Sequence, residues 1–123
     1  MREFALEADQ LEKTLSISTS NEAKITALTH FVNFAEKLFH LNHQSDGVPQ
    51  EVYHDVVVSY VKLGNLYEEQ KNPLSERYFD AAIRLKGKFI PWIKGFKVET
   101  RDDLRRYVSV LEQKTSKLTP ENH

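Results

Sequence analysis

Residues 60–82 read YVKLGNLYEEQKNPLSERYFDAA, two helical periods separated by a turn signal. Tyr60, Leu63 and Tyr67 recur at spacings of three and four, the period of one helix face. Asn72-Pro73 then supplies a side-chain acceptor for free helix amides, followed by a residue whose fixed φ suits a first helical turn. Behind it Leu74, Tyr78, Phe79, Ala82 and Leu85 resume the helical period. The reading is two helices joined by a tight turn. Gly64 lies inside the first of them, where it costs about 1 kcal/mol relative to Ala, so a packing reason for it is expected.

The same period extends outward in both directions. A first helix is expected from about Glu3 to Leu15, with Phe4, Ala8, Leu11 and Leu15 along one stripe. Thr19 and Glu22 fit a capping box opening a second helix, from about Ser20 to His43. Leu28, Phe31, Val32, Ala35, Leu38 and Phe39 form its main stripe, and Ile25, Phe34 and Leu41 add another, so this helix is expected to be central. Ser45-Asp46-Gly47-Val48-Pro49 reads as a loop with Pro49 starting the third helix, which runs to about Gln70. A last helix starts near Thr100, where Thr100 and Asp103 fit a second capping box, and carries Leu104, Tyr107, Val108 and Leu111. Strand-like alternation is hard to find. The expected fold is all-α, an antiparallel bundle of about five helices, with one domain over residues 1–118 and a polar tail over 119–123.

The hairpin resembles a tetratricopeptide repeat, in which two antiparallel helices of about 34 residues carry W-x2-L-G-x2-Y and then A-x3-F-x2-A. Here Tyr60-x2-Leu63-Gly64-x2-Tyr67 matches the first half with Tyr for Trp, and Ser75-x3-Phe79-x2-Ala82 matches the second with Ser for Ala. The match lies within residues 53–86. The turn is one residue shorter than in the family, and no Pro closes the second helix near Lys86. The resemblance implies that Gly64 and Ala82 let the helices approach while Leu63, Tyr67 and Phe79 fill the seam. It also implies stacked neighbours on either side and a concave surface lined by the first helix of each pair, to which Lys62, Asn65, Glu68 and Glu69 would contribute.

The 123 residues are 40% hydrophobic, enough for one real core. No Cys is present, which excludes disulfides and thiolate chemistry and favours an intracellular setting, cytoplasmic or nuclear. No signal-peptide-like or membrane-spanning apolar run is found. The formal net charge of −1 argues against a general nucleic-acid binder. It hides an asymmetry: residues 1–70 hold eleven acidic and five basic side chains, residues 71–123 seven and twelve. The glycines at 47, 64, 87 and 95 are too far apart for a phosphate loop, and no Gly-x-Ser-x-Gly elbow occurs. No enzyme activity and no cofactor are expected.

Residues 86–97 break the helical period and interleave aromatic with basic side chains. Packing of the aromatics on the neighbouring helices, with the lysines reaching into water, is the expected structural role. The same residues are the candidate partner-binding set: Lys86, Lys88, Phe89, Trp92, Lys94, Phe96 and Lys97, facing an acidic, partly apolar protein segment. A membrane surface is the weaker alternative and stacked single-stranded nucleic acid the weakest. His40, His43 and His54, with Asp46, are the side chains that could hold a metal. Surface histidines near a helix end fit the ordinary placement of that residue better, so no metal site is expected. The functional expectation is a non-catalytic adaptor or assembly domain that docks a peptide or helix of another protein. The alternatives are a self-associating structural domain and a membrane-surface domain.

Overall fold

The computed structural model describes the backbone of residues 2–17, 20–41 and 50–121 and the side chains of residues 6–17, 20–39 and 50–113. The hairpin forms as α3 (Gln50–Glu69) and α4 (Leu74–Arg84), preceded by α1 (Arg2–Ile17) and α2 (Asn21–Leu41) and followed by α5 (Arg101–Glu121). The described residues are therefore an all-α bundle of five helices, with no strand among them.

The helix ends follow from local chemistry. At the end of α3 the Asn72 amide donates to the Tyr67 carbonyl (2.9 Å) and the Lys71 amide to that of Glu68 (2.9 Å), with Lys71 at φ 56°. This is a Schellman closure with a lysine in the left-handed position that glycine usually takes. Asn72 Oδ1 accepts from the Leu74 amide at 2.9 Å, which starts α4. The box at Thr100 is reciprocal: the Asp103 amide donates to Thr100 Oγ1 (3.2 Å) while Asp103 Oδ2 accepts from the Thr100 and Glu99 amides (both 3.0 Å). Ser20 Oγ accepts from the Ala23 amide at 3.1 Å and starts α2. Thr19 and the loop at 45–49 lie outside the described residues. α5 continues to Glu121, through part of the stretch expected as a tail.

The hub is α3 rather than α2. α2 touches α1 on one side and α3 on the other, whereas α3 touches α2, α4 and α5. The reason is visible in burial: Val52, Val56, Val57, Tyr60, Val61 and Leu63 of α3 all join the core with Leu28, Phe31, Val32 and Ala35 of α2 and Leu104, Tyr107 and Val108 of α5. At the α3–α4 seam a Cβ on Gly64 would stand 2.6 Å from Phe79 Cε1, so the space glycine leaves is filled by that ring. Ala82 is fully buried, and the Tyr67 and Tyr78 rings stack with centroids 5.6 Å apart. Arg101 pairs with Glu76 and Asp80, and Arg105 reaches Glu68 at 2.6 Å while lying over the Phe79 ring. Those arginines fasten α5 to the hairpin.

Candidate functional site

α1, α3 and α5 leave an open groove of about 540 Å³ between them. Its walls are Ala8, Leu11 and Leu15 of α1, Val58 of α3 and Val108 and Leu111 of α5, with Leu28 and Phe31 of α2 behind. The apolar stripe that the period predicted on α1 is thus only partly covered: Ala8, Leu11 and Leu15 remain half-buried against the core. Concave, largely apolar surface of this size suits ligand or peptide anchoring. The charged side chains lining it, among the described residues, are Glu12, Asp55, Lys62 and Glu112.

Trp92 closes part of the groove wall and is held there by a buried cluster. Its indole stacks on the His54 imidazole, its backbone N–H donates to Tyr107 Oη at 2.7 Å, and Tyr107 Oη lies 2.6 Å from His54 Nε2. Because the phenol oxygen accepts from Trp92, its own proton is best placed toward His54 Nε2. That leaves the imidazole proton on Nδ1, an atom with no hydrogen-bond partner whose nearby carboxylate, Asp55 Oδ1, is 3.6 Å away. The other tautomer would strand both the phenol proton and the Nδ1 lone pair. Burial holds the Tyr107 phenol above its ordinary pKa, partly offset by the Trp92 amide.

The seven candidate residues of the aromatic–basic segment divide by environment. Phe89 is buried, edge-on to His54, and Phe96 packs edge-on to Tyr107 beneath the Arg106 guanidinium. Lys86 Nζ donates to the Glu99 carbonyl at 3.2 Å, pinning the ends of the segment together. Lys88, Lys94 and Lys97 are exposed, as are Ile90 (63%) and Trp92 (61%). Of the seven, only Trp92 reaches the groove. Of the residues that the repeat resemblance placed on a concave face, Lys62 lines it. Glu68 is engaged by Arg105, Glu69 accepts from Asn21 Nδ2 at 3.4 Å, and Asn65 is half-buried.

His54 corrects its reading as a surface histidine: it is 2% exposed, in the core. The signal was present, since His54 sits three residues before Val57 and seven before Val61, both buried on the inward side of α3. No group of three or more metal-ligating side chains occurs among the described residues, while the side chains of His40, His43 and Asp46 lie outside them. No helix among the described residues is long and apolar enough to cross a membrane. No protein-family model, curated protein or solved structure matches the chain.

Proposed function

We propose that the chain is a non-catalytic protein-interaction domain that docks a peptide or helix of a partner in the groove between α1, α3 and α5. One observation carries the reading: the fold leaves open an apolar groove, walled by α1, α3 and α5 with α2 behind and flanked by an exposed tryptophan. Exposed tryptophans beside apolar walls are the usual anchors of protein interfaces. A tetratricopeptide-like arrangement is supported by the close Gly64–Phe79 seam of the α3–α4 hairpin and by the pairing of α1 with α2 before it. The test is selection of binding peptides from a displayed random library, with counter-selection on a Val58→Arg variant that retains its helical circular dichroism. Recovered peptides should bind wild type and lose binding to the variant. Peptides indifferent to Val58, or none at all, would contradict the reading.

A second reading rests on Ile90 and Trp92, which are exposed beside Lys88, Lys94 and Lys97 as in an interfacial membrane contact. It predicts co-sedimentation with vesicles containing anionic lipid, lost in Ile90→Ser/Lys94→Glu/Lys97→Glu.

A further inference from the structure

Building on the groove reading, we infer that the occupant is an amphipathic helix with an apolar stripe flanked on both sides by lysine or arginine. Glu12 stands on the α1 lip and Glu112 on the α5 lip, and neither enters an ion pair among the described residues. Asp55 adds a third carboxylate from α3, against which Lys62 is the one described base lining the groove. The arginines at 101, 105 and 106 are committed elsewhere, to Glu76 and Asp80, Glu68, and Asp103. The groove therefore presents an apolar strip between two acidic lips, although the segment at 86–97 carries four exposed lysines.

The apolar strip has the dimensions of a short helix contact. Ala8 and Leu15 are seven residues apart on α1, so the wall they frame is about 10 Å long at 1.5 Å per residue. That is the span of anchors at i, i+3 or i+4, and i+7 on a docked helix. Residues beside such a stripe fall opposite Glu12 on one side and Glu112 on the other. An extended acidic segment, the occupant expected from the basic residues of 86–97, would set its carboxylates against both lips.

Trp92 is the only tryptophan in the chain and lines the groove, so its emission reports occupancy directly. Three synthetic helices with one leucine stripe, flanked by lysine, by glutamine or by glutamate, are titrated into the full chain at low salt. The lysine-flanked helix should shift Trp92 emission to the blue saturably and bind about tenfold or more tighter than the glutamate-flanked one, the gap narrowing with salt. Glu12→Lys/Glu112→Lys should reverse that order, while Glu12→Gln/Glu112→Gln should level it and serves as the milder variant if the reversal unfolds the chain. Equal affinity for all three helices would overturn the basic-helix inference but leave the groove as a docking site. Absence of any groove-dependent shift, or a shift given by anionic vesicles or by self-association instead, would overturn both.

Discussion

The indole of Trp92 lies flat on the imidazole of His54, with ring centroids 3.8 Å apart and planes 11° from parallel. One partner is 2% exposed and the other 61%. This stack joins the core to the groove wall: the inner ring is fixed by Tyr107, and the outer ring keeps its remaining surface exposed beside the groove. A tryptophan oriented in this way would lose less side-chain entropy on contact with the proposed partner.

Removing the phenol oxygen tests that support. Tyr107→Phe strands the Trp92 N–H and alters the partner of His54 Nε2, both at 2.7 Å or less from Tyr107 Oη. A loss of about 1–3 kcal/mol in urea unfolding is expected, with a red shift of Trp92 emission as the segment loosens. Unchanged stability and emission would show that the hydroxyl does not hold the loop.

Gly64→Ala is expected to destabilise, against helix propensity. The substitution gains about 1 kcal/mol of intrinsic preference, but its methyl would stand 2.6 Å from the Phe79 ring. Overpacking of this kind costs about 1–3 kcal/mol. In Phe79→Leu the same Gly64→Ala change should cost less, and thermal unfolding of the four proteins in a double-mutant cycle measures the coupling.

Lys71→Gly should stabilise. Lys71 holds φ 56° at the closure of α3, a conformation that costs an L-residue about 1–2 kcal/mol and glycine little. A gain of about 1 kcal/mol in chemical denaturation is expected once glycine's larger unfolded-state entropy is subtracted. A Lys71→Ala control, which keeps the strain, should show no such gain.

Asp103 should give stability an acid-side slope. Amide hydrogen bonds from Glu99, and next from Thr100, hold its carboxyl below the ordinary value. A folded-state pKa depressed in this way contributes stability above the unfolded-state value, and that contribution is lost as pH falls through the folded one. Urea midpoints measured down through the carboxylate range should fall less steeply in Asp103→Asn than in wild type. Parallel curves would contradict the role of the box.

Helix number, most boundaries and the Gly64–Phe79 seam were legible because each is local or carries a strong period. The capping chemistry at Asn72 and Thr100 needs neighbours only two or three residues away. Which helix became the hub was not legible, because α2 and α3 carry similar apolar content and only tertiary partners distinguish them. The groove was less visible still. Leu11, Leu15 and Leu111 read as ordinary core positions, and their partial exposure depends on how far α1 stands from α5. Within residues 86–97 composition pointed to an aromatic and basic surface but could not separate Phe89, drawn inward beside His54, from Trp92, left half outside.

Docking of a helix in the space between α1, α3 and α5 is read residue by residue by amide chemical-shift mapping. Isotope-labelled protein is titrated with the lysine-flanked helix and compared with Val58→Arg under the same conditions. The expected result is saturable shifts concentrated on Leu11, Leu15, Val58, Trp92 and Leu111, absent in the variant. Shifts confined to the outward face of α4 or to Lys88, Lys94 and Lys97, or shifts equally strong in Val58→Arg, would contradict it.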